Sequence, residues 1–100
     1  MTAGVNPVRS FSGLNIAPNP FLLPSPTPLT FDGLVQNSSI KILSVDGNLI
    51  REIHPPGGRI GFWDGTNERG ALVASGVYVV VASSEDGSSV TTGKVAVIRK

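Results

Sequence analysis

The fold of this chain is determined by residues 61–78, which read Gly61-Phe62-Trp63-Asp64-Gly65-Thr66-Asn67-Glu68-Arg69-Gly70-Ala71-Leu72-Val73-Ala74-Ser75-Gly76-Val77-Tyr78. The only Trp and the only Tyr of the chain flank a run of turn residues. Asp64 before Gly65, and Asn67 ahead of Gly70, each put a side chain that hydrogen-bonds its own backbone near a residue that tolerates positive φ. Two apolar strands are therefore expected to leave the core and return around one loop.

Short apolar or alternating runs on both sides of this loop predict further strands. The predicted strands cover residues 14–17, 29–34, 39–45, 49–53, 59–63, 77–82 and 90–98. Asp46-Gly47 between two such runs is a strong hairpin signal, and Asp86-Gly87 predicts a final hairpin at the carboxyl end. The period of two places Leu29 and Phe31 on the inward face of their strand.

Prolines interrupt the pattern near the amino terminus. Pro18-Asn19-Pro20 ends the first predicted strand, because proline has no N–H for a ladder. The apolar run Phe21-Leu22-Leu23 is expected to fold back as a plug over one end of the core. Residues 24–28 carry a proline at every second position, which favours an extended crossing or edge segment.

These features define a fold class. The chain has 100 residues, 40% of them hydrophobic and 15% charged, so it can build one core, while 12 Gly and 8 Pro disfavour a helical protein. Seven short strands with a central Trp predict an all-β fold, a seven-stranded antiparallel immunoglobulin-like β-sandwich. Residues 1–13 are predicted to be a flexible arm or linker end, and residues 14–100 the folded domain.

Charge and composition exclude several classes of function. The net charge is +1 and the charged residues are scattered, so no nucleic-acid partner is indicated. Cysteine is absent, which excludes disulfides and thiolate metal sites. No run approaches the ~18 apolar residues of a membrane span. The first residues lack the pattern of a secretory signal, so an export signal is expected elsewhere in a longer protein.

Residues able to carry catalysis are scarce. The single His54 lies in a proline-rich loop, and Ser75 lacks the strand, elbow and helix that activate a nucleophilic serine. We therefore predict that the chain is not an enzyme and has no cofactor.

Two binding interpretations compete with structural ones. Asp64, Asn67 and Glu68 could supply oxygen ligands to calcium, but their spacing is not that of a known calcium loop, and Asp64 is better explained as a turn acceptor, so no metal is predicted. Trp63 and Tyr78 could form a carbohydrate-stacking platform, but their position on apolar strands favours the core.

The order of several short blocks resembles a known family. The blocks are Ala17-Pro18-Asn19-Pro20-Phe21, Ile40-Lys41-Ile42 with Asp46-Gly47-Asn48-Leu49-Ile50-Arg51, Trp63-Asp64-Gly65 with Asn67 and Gly70, Val73-Ala74-Ser75-Gly76-Val77-Tyr78, and Lys94-Val95-Ala96-Val97-Ile98-Arg99-Lys100. Together they resemble the carboxy-terminal sorting domain, type A, of type IX secretion substrates. The immunoglobulin-like domain of the flagellar hook-capping protein is related to it. The resemblance covers residues 14–100.

The resemblance implies that the chain is a secretion and sorting signal domain and not an enzyme. Such a domain directs an amino-terminal cargo domain through the outer-membrane translocon, with shuttle and sortase proteins as partners. It passes the periplasm and ends at the cell surface or outside the cell. A monomer without a membrane span is expected.

The last strand is the predicted recognition element. Its residues are Lys94, Val95, Ala96, Val97, Ile98, Arg99 and Lys100, with basic residues at both ends of an apolar strand that would be read as a sheet edge. The other motif residues are expected to be mainly structural: Pro18, Asn19, Pro20, Phe21, Gly47, Trp63, Asp64, Gly65, Gly70, Ser75, Gly76 and Tyr78. The alternative function is a structural or adhesive immunoglobulin-like accessory module that binds a glycan or a neighbouring domain.

Overall fold

A computed structural model describes residues 14–35, 37–55 and 59–100, and these residues form two β-sheets and no helix. The strands are β1 (Asn15–Ala17), β2 (Phe21–Leu23), β3 (Leu29–Asp32), β4 (Ser39–Ser44), β5 (Leu49–Ile53), β6 (Ile60–Trp63), β7 (Gly76–Ser83) and β8 (Val90–Arg99). One sheet has the order β1-β3-β6 and the other the order β2-β8-β7-β4-β5. Within the described ranges, no helix is long and apolar enough to cross a membrane. The predicted arm, residues 1–13, lies outside the described residues.

The predicted all-β sandwich is confirmed, but the number of strands and their directions need correction. The described residues form eight strands rather than seven, because Phe21–Leu23 is strand β2 and does not only cover one end of the core. β2 pairs with β8 in parallel, whereas every other strand pair is antiparallel. Three residues between prolines are too short for a periodicity signal, so the sequence pattern could not identify this strand.

The hairpins follow the turn signals. Gly47 adopts φ of 91° and Gly87 φ of 76°, and the flanking strands pair as predicted, β4 with β5 and β7 with β8. The Asp46 turn is held by Ser44, whose hydroxyl donates to Oδ1 of Asp46 at 2.6 Å. The Asp-Gly pairs therefore lie in the two hairpin connections of the five-stranded sheet.

The chain crosses between the two sheets five times, and two of these crossings use segments that the sequence analysis singled out. The proline-rich segment 24–28 joins β2 in the five-stranded sheet to β3 in the three-stranded one, as its extended character predicted. The loop after Trp63 returns the chain from β6 to β7 in the five-stranded sheet. Because the crossings place consecutive strands in different sheets, apolar residues that are close in sequence contribute to the core from both sides.

The core lies between the sheets and is completed by alternating residues of six strands. Leu29 and Phe31 are fully buried, which confirms the predicted inward face of β3. The largest fully buried side chains are Trp63, Phe21, Phe31, Leu23, Leu29, Ile40, Ile42, Val80, Val95 and Val97. Because Phe21 and Leu23 belong to this set, β2 is anchored by burial as well as by pairing.

Candidate recognition surface

The last strand is an inner strand of its sheet along part of its length, which corrects the prediction that it is an edge. β7 pairs with residues 90–97 of β8, and β2 pairs with its carboxyl end on the other side, where Phe21 lies opposite Val97 and Leu23 opposite Arg99. β2 is supplied by residues more than 70 positions earlier, so no local pattern in β8 could reveal it. A partner therefore cannot pair with the backbone of residues 97–99.

The seven predicted recognition residues divide between core and surface. Val95 and Val97 are buried and pack in the core, so their side chains are not available to a partner. Ala96 is half-buried, and the side chains of Lys94, Ile98, Arg99 and Lys100 are exposed. The exposed members of the seven predicted residues are thus three cations and one apolar residue, and Lys94 is separated along the chain from the other two cations.

Asn19 extends the parallel pairing of β2 by means of its side chain. Its Nδ2 donates to the carbonyl oxygen of Lys94 at 3.1 Å, and its Oδ1 accepts from the backbone N–H of Ala96 at 3.1 Å. One side-chain amide thus replaces a peptide group of a neighbouring strand, where Pro18 and Pro20 cannot donate. Sequence reasoning placed Asn19 in a merely structural loop and missed this contact, because the bond joins residues 77 positions apart.

Asn19→Ala is expected to expose the Ala96 amide. The variant loses two hydrogen bonds at the protein surface, each contributing about 0.5–1.5 kcal/mol, and amide hydrogen exchange measured by NMR should accelerate at Ala96. Asn19→Asp keeps the acceptor for Ala96 and loses the donor to Lys94, so it should retain most of the Ala96 protection. Equal exchange in the wild type and in Asn19→Ala would contradict this role.

The carboxyl end of β8 is held from both sides. The N–H of Arg99 donates to Oγ of Ser75 at 2.8 Å, directly before Gly76 begins β7. On the opposite side, the N–H of Lys100 donates to the carbonyl oxygen of Leu23 at 2.9 Å. Ser75 and Leu23 therefore fix the backbone at the carboxyl end of β8 by hydrogen bonds on its two sides. The exposed side chains of Arg99 and Lys100 extend from this fixed backbone.

The outer face of the five-stranded sheet is apolar for a surface. Leu22 lies opposite Ile98 and Val77 opposite Ala96, and their large side chains remain 44–46% exposed. Val45 and Leu49 continue this exposed apolar area toward β5 and are 74% and 48% exposed. Contiguous exposed apolar area of this kind is typical of protein interaction sites.

Trp63 and Tyr78 belong to the core, which confirms the structural interpretation over the carbohydrate platform. Trp63 is 1% exposed, and its ring centroid lies 6.1 Å from that of Phe21 and 6.0 Å from that of Tyr78. The indole Nε1 donates to the carbonyl of Thr66 at 2.8 Å. The Tyr78 hydroxyl donates to the carbonyl of Ala74 at 2.7 Å, and burial raises the pKa of Tyr78. Neither ring offers a face to a ligand.

Two of the three possible calcium ligands, Asp64 and Asn67, accept hydrogen bonds from their own loop. The carboxylate of Asp64 accepts from the hydroxyl and the N–H of Thr66, and the bond from the hydroxyl is the main cause of the lowered pKa of Asp64. Oδ1 of Asn67 accepts from the N–H groups of Arg69 and Ala71 at 2.9 and 3.1 Å, and Gly70 between them has φ of 84°. Asp64 and Asn67 are therefore turn acceptors, as the structural interpretation predicted.

The loop around Glu68 also covers the edge strand β5. Oε2 of Glu68 accepts from the backbone N–H of Glu52 at 3.1 Å, and Arg51 donates to the hydroxyl of Thr66 at 2.9 Å. His54, 71% exposed, lies 3.3 Å from Glu52 at the end of the same strand. Natural sheets protect edges in this way against unwanted pairing, so β5 is a poor site for strand addition.

Comparisons with known proteins identify one informative neighbour. No protein-family model and no curated protein matches the chain. Among solved structures, the chain is similar to PorZ, an essential bacterial surface component of the type IX secretion system of Porphyromonas gingivalis, with a TM-score of 0.74 and 30% identity over 87% of this chain. The chain covers 12% of PorZ, so the similarity concerns a small part of that protein. CopC from Methylosinus trichosporium OB3b gives a TM-score of 0.47 at 22% identity, covering 86% of this chain and 94% of CopC, which is too low to carry an argument.

Proposed function

We propose that this chain is an immunoglobulin-like sorting domain of the type IX secretion system, which directs an amino-terminal cargo domain through the outer-membrane translocon to the cell surface. The observation that carries the proposal is the similarity of 87% of the chain to part of PorZ, a surface component of that system. The domain would occupy the periplasm in transit and the surface or the medium afterwards. Translocon, shuttle and sortase proteins would be its partners.

The arrangement of β8 supports a role in recognition as a sorting signal. A recognition element must present its side chains in the same arrangement to each partner. The hydrogen bonds from the Arg99 and Lys100 N–H groups to Ser75 and Leu23 fix the backbone that carries these side chains. The side chains of Lys94 and Lys100 are exposed and lie beside the apolar outer face of the sheet. Cations beside an apolar area suit a partner with a carboxylate-rimmed apolar groove.

The proposal is tested by a fusion assay. Residues 1–100 are joined to the carboxyl end of a periplasmic fluorescent protein in a bacterium with a working type IX system. Fluorescence should reach the surface or the medium and should remain in the periplasm when the translocon is disabled. Retention of a folded wild-type fusion in the competent strain would contradict the sorting function.

Substitution of the two lysines tests the recognition residues within the same assay. Lys94→Ala and Lys100→Ala should each reduce export about two- to fivefold, which corresponds to the loss of one exposed ion pair. Lys41→Ala, which removes an exposed lysine of β4 on the same sheet, is the matched control and should leave export unchanged. These substitutions are preferable to deletion of residues 98–100, because Ile98 and Arg99 pair with β2.

A second candidate is an accessory module that packs against a neighbouring domain. It is favoured by the exposed apolar side chains of the outer sheet face, since Leu22, Val77 and Ile98 would be covered by such packing. A domain that stays with its neighbour and is exported by no type IX strain would support this alternative over the sorting role.

A further inference from the structure

The amino-terminal half of β8 leaves one side of its backbone open. The N–H of Ala96 and the C=O of Lys94 point toward Asn19, away from β7. Backbone groups of alternate residues point to the same side of a strand, so the N–H and C=O groups of Val90 and Thr92 point in this direction too. β2 covers β8 only at residues 97–99, and within the part of the chain that the structure describes nothing pairs with this side of residues 90–93.

Two apolar side chains lie next to this open edge on the inner side of the sheet. Ile16 in β1 and Leu14, just before β1, are half-buried and pack against the core. A Cβ at Gly93 would lie 2.8 Å from Cδ1 of Ile16, so β1 approaches the inner face of β8 closely at this point. A strand added beside residues 90–94 would therefore place its inward side chain against Leu14 and Ile16 rather than in water.

We propose that an extended segment of the protein that recognises this domain adds to β8 along residues 90–94 and lengthens the five-stranded sheet. This inference rests on the proposed function and names the partner's form at that site. The added segment would lie along the line that β2 begins, and Asn19 at Lys94 would limit its length at one end. Main-chain hydrogen bonds supply affinity in such β-addition, and alternate side chains supply specificity.

The chemistry of the edge specifies the segment. Its inward residue is apolar, to contact Leu14 and Ile16, and an apolar residue on the outer face would cover Val90, which is 57% exposed. Among the described residues, no carboxylate lies within salt-bridge distance of Lys94. An acidic residue in the segment beside Lys94 therefore completes its recognition.

Thr92→Pro tests this inference, because it removes an N–H that faces the open edge and leaves the bonds to β7 intact. Proline is tolerated in strands where the N–H faces solvent. Thr92→Ser keeps the N–H and is the matched control. Both are introduced into the full chain fused to the fluorescent reporter, and the melting temperature of each purified fusion is measured. Export should fall about tenfold or more in Thr92→Pro through loss of backbone pairing, with the melting temperature nearly unchanged, and should remain normal in Thr92→Ser.

The outcomes separate this inference from the proposed function. Wild-type export with equal export of a folded Thr92→Pro fusion overturns the edge inference and leaves the sorting function standing. Retention of the wild-type fusion contradicts the sorting function itself, and this inference fails with it. If Thr92→Pro does not fold, Val90→Pro replaces it, since Val90 is the first residue of β8 and its N–H faces the same side. Normal export of folded Val90→Pro would equally overturn the inference.

Discussion

Trp63→Ala should reduce the free energy of unfolding by about 3–5 kcal/mol, because a fully buried aromatic is lost and a cavity remains between Phe21 and Tyr78. A domain of this size is stable by roughly 5–15 kcal/mol, so the variant loses a large part of its stability. The melting temperature should fall by at least about 12 °C. Urea unfolding followed by far-ultraviolet circular dichroism measures the change, since the variant has no Trp for fluorescence.

Phe62→Ala provides the control for this effect. Phe62 is the preceding residue of β6 and an aromatic of similar size, but its side chain is 57% exposed on the opposite face of the sheet. Its replacement should cost less than about 1 kcal/mol, as surface substitutions usually do. If both variants lost the same stability, Trp63 would not be the centre of the core, and the assignment of this residue would fail.

The sequence predicted the features that depend on neighbouring residues. Alternation placed Leu29 and Phe31 inward, and Asp46-Gly47 placed the β4–β5 hairpin, because side-chain period and turn chemistry act over a few residues. The same local logic assigned Trp63 to the core and Asp64 to its turn. These assignments needed no knowledge of which strands are neighbours in space.

The features that the sequence could not reveal depend on distant pairing. The parallel pairing of β2 with β8 joins residues 21–23 to the other end of the chain, and the bonds of Asn19 to Lys94 and Ala96 span a similar separation. Nothing in the pattern of residues 94–100 distinguishes an edge strand from an inner one. The resemblance therefore only predicts a recognition role for the last strand, whereas the covered and open halves of that strand could be seen only in the structure.

The covered and open halves of β8 would offer different groups to a partner. The covered end offers only side chains, namely those of Ile98, Arg99 and Lys100, whereas the open half, residues 90–94, offers backbone groups in addition to exposed side chains. Asn19 marks the boundary between them. A partner that uses both halves would read cationic and apolar side chains at one end and a strand edge at the other, which gives more specificity than either contact alone.

Gly65→Ala is expected to cost about 2–5 kcal/mol, because backbone strain and steric overlap act together. Gly65 has φ of 86°, where an L-residue is strained by about 1–2 kcal/mol. A Cβ there would also lie 2.6 Å from Cδ2 and 2.8 Å from Cδ1 of Leu23, and overpacking of a core costs typically 1–3 kcal/mol. Leu23 is 1% exposed, so its side chain has no free space into which to turn.

Gly70→Ala separates the two contributions. Gly70 has φ of 84° in the same loop, but a Cβ there would meet nothing within 4 Å, so only the strain of about 1–2 kcal/mol is expected. Displacement of Leu23 should also weaken the bond from the Lys100 N–H to the Leu23 carbonyl, so amide exchange at Lys100 should accelerate in Gly65→Ala and not in Gly70→Ala. Equal losses of stability with unchanged Lys100 exchange would mean that Gly65 is required only for its φ. A larger loss of stability in Gly65→Ala together with faster exchange at Lys100 would show that the loop after Trp63, through Leu23, holds β2 against β8.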